Sequence, residues 1–221
     1  MSSQMTSRQR MMTAMRNEIP DMVPVNPDLS NMVPARLTGK SFLEVYYEND
    51  PPLWKAYIDA VRYYEMDGFF TVTGIDFKRP HHQCHVTSDV ISRSDERIVV
   101  RYTYHTPAGD LWNEMTFYHD NPPTLTRKWI KNLKEDMPKL RYFFSEITDY
   151  DDAELKEMGK LLGEDGALGY HYVPTGLHDL FHWFDDGMTG VSIAFYEDRD
   201  TLDELVEWIT NDRLQEVKIA I

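Results

Sequence analysis

The sequence predicts an α/β fold: a TIM (β/α)8 barrel of which this chain supplies only the first three β/α units, with an antiparallel β excursion after the second strand. Three observations lead there. Short apolar runs at 22–25, 69–73 and 167–173 read as strands, with helical spacing between and after them. The stretch 85–118 changes to alternation broken by Ser94-Asp95-Glu96 and by Pro107-Ala108-Gly109-Asp110, the pattern of an antiparallel meander. Finally, Leu214, Val217, Ala220 and Ile221 continue a helical pattern to the last residue, whereas a closed barrel needs eight strands and about 250 residues. The expectation is therefore one domain over 1–221, the N-terminal portion of a barrel, with the meander inserted at 85–118.

Each element has its local reason. Thr6 or Ser7 caps a first helix whose Met11, Met12 and Met15 share one side, and Pro20 cannot continue it. The methionine stripe reads as flexible core or interface packing. Met22-Val23-Pro24-Val25 is the first strand, and the turn-rich Asn26 to Asn31 leads to short helices through Arg36 and Val45. A longer helix after Asp50-Pro51-Pro52 carries Leu53, Trp54, Tyr57, Ile58, Val61 and Tyr64 at helical spacing and ends near Asp67-Gly68. The aromatic and β-branched run 69–73 reads as a strand buried on both faces. After the meander, helices are expected over 137–147, over 151–162 with an Asp151 or Asp152 cap and a stop at Gly163, and over 177–184. The 201–221 region reads as two more helices.

Composition narrows the function. The chain has 221 residues, 42% of them hydrophobic, enough for a sizeable core. Its net charge of −14 disfavours nucleic acid as a general partner. The lack of an apolar run of ~20 residues argues against a membrane span and points to the cytoplasm. The single cysteine, Cys84, excludes an intrachain disulfide. No glycine-rich phosphate loop, dinucleotide fingerprint or serine-hydrolase elbow is present.

Three segments carry a resemblance. Thr6 through Val25, a basic helix followed by a Pro-Asp turn and a Val-Pro-Val strand, resembles the opening of the uroporphyrinogen decarboxylase superfamily. Tyr104-His105-Thr106-Pro107-Ala108-Gly109-Asp110-Leu111 resembles a Thr-Pro-Ala-Gly turn of its corrinoid-linked methyltransferases, and Tyr196 to Trp208 resembles its acidic helix start. The decarboxylase proper carries an Arg-Gln-Ala-Gly-Arg motif after its first strand. This chain reads Asn26-Pro27-Asp28-Leu29-Ser30-Asn31 there, so the resemblance implies the methyltransferase branch.

A barrel places its chemistry at the carboxyl ends of its strands. That rule, with the resemblance, gives Asp76 and His171 as candidate catalytic groups and Asn26, Asp28, Thr73, Tyr172, Thr175 and His178 as candidate substrate contacts. For Asn26 and Asp28 a turn role is the commoner use of such residues. His81, His82, Cys84 and His85 lack the second ligand pair of a structural zinc site and read as a polar loop, so no metal ligand is assigned within the chain. What the resemblance implies is a methyltransferase acting with a corrinoid carried on a partner protein, and zinc held by ligands beyond Ile221. The alternatives are uroporphyrinogen decarboxylation, which needs no cofactor, and a non-catalytic fragment whose open sheet edge is covered by another chain, for example as a homodimer.

Overall fold

In a computed structural model, residues 4–171 and 176–220 are described. Their elements, in chain order, are α1 (Ser7–Met15), α2 (Met32–Leu37), α3 (Phe42–Tyr46), α4 (Leu53–Tyr63), β1 (Gly68–Val72), β2 (Asp76–Lys78), β3 (His85–Arg93), β4 (Arg97–Thr106), β5 (Gly109–Tyr118) and β6 (Thr124–Arg127). Then follow α5 (Leu133–Leu140), β7 (Asp149–Asp151), α6 (Ala153–Leu162), β8 (Gly166–Tyr170), α7 (Leu177–Trp183), α8 (Met188–Glu197) and α9 (Arg199–Ala220).

The barrel is not formed. Among the described residues the strands make two sheets of two strands and one of four: β1-β8, β2-β7 and β3-β4-β5-β6. The β1-β8 pair is parallel, Gly68 opposite Gly166 through Val72 opposite Tyr170, while β2-β7 and the β3-β4 and β5-β6 pairs are antiparallel. The predicted first strand, 22–25, has no ladder. It is held at its end by Asp67, the residue before β1, whose amide donates to the Val25 carbonyl at 2.9 Å. The physical reason is pairing: a barrel wall needs each successive parallel strand to bond its neighbours, and here one parallel pair is the whole of that ladder. β1 is also buried only in part, since Thr71 is exposed.

Contacts gather into two compact units, one of residues 4–75, 118–122 and 152–171, the other of 76–117, 123–151 and 176–220. In the first, α1 opens with a reciprocal capping box: the Gln9 amide donates to Thr6 Oγ1 and the Thr6 amide to Gln9 Oε1. Met11 of the methionine stripe is buried, whereas Met15 is about half exposed. α4 lays Ile58 and Val61 against Met66, Phe70 and Leu162. β1 and β8 approach so closely at their start that a Cβ on Gly166 would stand 2.2 Å from the Gly68 carbonyl oxygen. α6 ends at Gly163, whose φ of 55° is the left-handed stop that glycine supplies.

The second unit has its own core, in which Leu111, Leu133, Met137, Leu140, Leu180 and Leu205 are buried together. Two helix expectations change here. The helix expected over 137–147 starts earlier, at Leu133, because Asn132 accepts the Glu135 amide as its cap, and it ends at Leu140 shortly after Pro138. The two helices expected over 201–221 are one, α9, and α8 before it was not foreseen. Among the described residues no helix is long and apolar enough to cross a membrane.

Candidate functional site

Parallel strands bring their carboxyl ends to one place, where side chains of the following residues converge. In the first unit, Thr73 follows β1 and His171 follows β8, whose ladder is extended by the His171 amide donating to the Val72 carbonyl at 2.9 Å. The 26–31 turn is fastened to the same pair by Asn26: its Nδ2 donates to the Phe69 carbonyl at 3.0 Å, and its Oδ1 accepts the Phe69 amide at 3.1 Å. The result is a cavity of about 710 Å³. Its apolar lining includes Trp54 and Tyr57 of α4, Phe70 of β1, and Met158 of α6; its polar lining includes Asp28, Asn31, Asn49, Thr73, Glu154 and His171.

The polar groups differ in how far they are engaged. Asp28 Oδ1 accepts the Ser30 amide at 2.8 Å, a local turn bond. Asn31 Oδ1 accepts the Tyr57 hydroxyl at 2.8 Å. Burial pushes the Tyr57 phenol above its ordinary pKa, with the Asp28 charge adding to the rise, so Tyr57 stays a neutral donor. Tyr57 stacks on Phe70 with ring centroids 5.1 Å apart. Thr73, Asn49, Glu154 and the His171 ring make no side-chain hydrogen bond among the described residues and are available to a ligand.

Four predicted site residues thus meet: Asn26, Asp28, Thr73 and His171. Asn26 has both amide ends on Phe69, so it builds the site more than it contacts a ligand. Asp76 lies elsewhere, at the start of β2 in the second unit, exposed and ion-paired with Lys78. His178 is on α7 of that unit, with its ring centroid 5.3 Å from that of His182. Tyr172 and Thr175 lie outside the described residues. Sequence reading missed Trp54, Tyr57 and Glu154 as site residues. The first two sit three apart on α4 and read as core spacing, and Glu154 reads as a helix-start carboxylate; only the strand pairing reveals what they face.

The second unit holds a wider depression of about 970 Å³ lined by Arg141, Trp208, Asp212 and Gln215 among others. Two of its polar groups are already engaged. Asp212 is held by the Arg79 guanidinium at 2.6 and 2.9 Å, and Gln215 accepts the Ile147 amide at 3.1 Å. His85 of the histidine-rich loop lies on β3 facing His105, with ring centroids 6.2 Å apart, and burial pushes the Cys84 thiol up. Among the described residues no three His, Cys, Asp or Glu side chains gather as a metal site requires. No protein-family model, no curated protein and no solved structure matches the chain.

Proposed function

We propose that the chain is an enzyme that binds a small organic methyl donor in the first unit's cavity and works in methyl transfer with a corrinoid protein, the activity implied by its resemblance to uroporphyrinogen decarboxylase-like methyltransferases. One observation carries the reading: residues far apart in sequence, Asp28, Thr73 and His171, line one cavity at the carboxyl ends of a parallel strand pair, the usual seat of ligands in such sheets. The corrinoid, when its carrier protein is present, supplies a nucleophilic metal centre that accepts a methyl group. This chain supplies the rest. The aromatic lining orients the donor, and Thr73 offers a hydrogen bond that helps fix it. His171 is placed to act as the general acid toward a leaving oxygen or sulfur.

The decarboxylase alternative receives no support from the same cavity. A pyrrole polycarboxylate calls for arginines around its acid groups, and the cavity lining contains neither Arg nor Lys. Asp76, the carboxylate that reading needs, is paired with Lys78 and does not line the cavity.

The test is an anaerobic assay of the protein with cob(I)alamin, standing in for the carrier-bound corrinoid, and methoxy-, methylthio- and methylammonium-bearing donors. The expected result is protein-dependent methylation of the cobalt, seen as conversion of the cob(I)alamin spectrum. For oxygen and sulfur donors, His171→Ala is expected to lose about 10²–10⁴-fold in rate, the usual value of a positioned general acid. No protein-dependent methylation with any donor class removes the proposal.

A further inference from the structure

The geometry points to a methylated ammonium group as the ligand of the first unit's cavity; this rests on the methyl-transfer reading and names the donor class for it. The lining sets a charge preference. Two carboxylates, Asp28 and Glu154, face the space, and no Lys or Arg lines it. Aromatic side chains line it as well, Trp54, Tyr57, Phe69 and Phe70, with Tyr57 stacked on Phe70, and a cation is attracted to such a ring where a face is open. The Lys55 ammonium lies 5.0 Å from the Trp54 ring centroid, so a bound cation must use that ring's other face or displace the lysine. The partial positive charge at the start of α6 is answered by Glu154 in its first turn and by the Asp152 cap position. An anionic ligand would meet two like charges and no partner. A neutral one would gain the apolar contacts alone, whereas a methylated cation gains both.

A quaternary ammonium also suits the chemistry. When its C–N bond breaks, the electron pair stays on nitrogen and a neutral tertiary amine leaves without needing a proton. The electron pair of the new bond to carbon comes from the corrinoid nucleophile of the partner. Turnover of such a donor therefore does not require His171 as an acid, unlike turnover of methoxy or methylthio compounds.

Three ligands of one shape separate the cases: choline, its uncharged carbon isostere 3,3-dimethylbutan-1-ol, and the anionic 3,3-dimethylbutanoate. Titration calorimetry of the whole protein is expected to rank them in that order, with choline about tenfold tighter than the alcohol, as a partly desolvated cation on aromatic faces gains. Glu154 is exposed, so Glu154→Gln should fold normally; it is expected to weaken choline several-fold and leave the alcohol unchanged. Trp54→Leu should weaken both. Equal binding of choline and alcohol, preference for the carboxylate, absence of binding by all three, or an unmoved choline affinity in Glu154→Gln each overturns the assignment. Methylation of cobalt from methoxy or methylthio donors alongside such a result would leave methyl transfer standing without the cation. Cation selectivity without any methylation would do the reverse.

Discussion

The two units use aromatic residues in opposite ways. In the second, Tyr104, Trp129, Phe143 and Trp183 close on one another, with neighbouring ring centroids 5.0 to 6.3 Å apart, and Phe144 extends the cluster to Trp208. The first four pack on one another, while Phe144 and Trp208 also border the wider depression. In the first, Trp54 and Tyr57 line a cavity, Tyr57 also stacking on Phe70, beside Thr73, Asn49, Glu154 and the His171 ring, which make no side-chain hydrogen bond among the described residues. Counting aromatic residues would have pointed to the second unit; the meeting of Thr73 and His171 at the end of a parallel strand pair points to the first.

The sharpest way to break this contrast is to remove what holds the first unit's frame. Arg10, buried, binds Asp21 at 2.8 Å and pairs with the buried Asp67, which also accepts the Val25 amide at 2.9 Å. Asp67→Ala leaves the Arg10 charge short of a buried partner and frees the 19–25 segment, an expected loss of about 3–5 kcal/mol. Hydrogen exchange should show the opening concentrated in the first unit, with loss of ligand binding; equal opening of the second unit's core would contradict this account.

A comparable injury to the second unit should leave the site intact. Leu205 is fully buried in that unit's core, so Leu205→Ala is expected to cost about 2–5 kcal/mol in denaturant unfolding. Choline affinity measured well below the unfolding midpoint should not change. A smaller but more local effect is expected from Gly166→Ala. The added methyl would meet the Gly68 backbone at 2.2 to 2.7 Å, where no flexible side chain can yield. The start of the β1-β8 pair must therefore open, at roughly 1–3 kcal/mol. Because Thr73 and His171 are carried at the other end of that pair, ligand affinity should fall along with stability.

These tests also show where sequence reading reached and where it stopped. The Thr6 cap, the Gly163 stop, the hairpin turns at 94–96 and 107–110, and the strands expected at 69–73 and 167–173, which form as 68–72 and 166–170, were legible because each depends on neighbours within a few residues. Long-range pairing was not. Nothing local in Met22-Val23-Pro24-Val25 distinguishes a ladder strand from an extended segment held at one end by Asp67, and β2 joins β7 across more than seventy residues without a pattern that announces it. The barrel was an inference about pairing, and pairing overturned it. Site residues followed the same division. Thr73 and His171 came from their positions after strands, while Trp54, Tyr57 and Glu154 became visible only once β1, α4 and α6 were packed together.

The smallest expected effect separates the two units by pH. Asp21 accepts the Arg10 guanidinium and the Met5 amide, and these bonds hold its carboxyl down to about 2 against an ordinary 3.8. A folded-state pKa below the unfolded one means that the native protein binds fewer protons between those two values. The group's stabilisation is therefore complete above about pH 4 and is lost as the pH falls toward 2. Hydrogen exchange measured from pH 5 to pH 2 should show the 5–25 segment losing protection ahead of the second unit's core. In Asp21→Asn, that segment should start less protected at pH 5 and show a flatter loss on acidification. An unchanged acid slope in the variant would mean that Asp21 does not couple the first helix to the frame of the site, and the contrast between the two units would then rest on Asp67 alone.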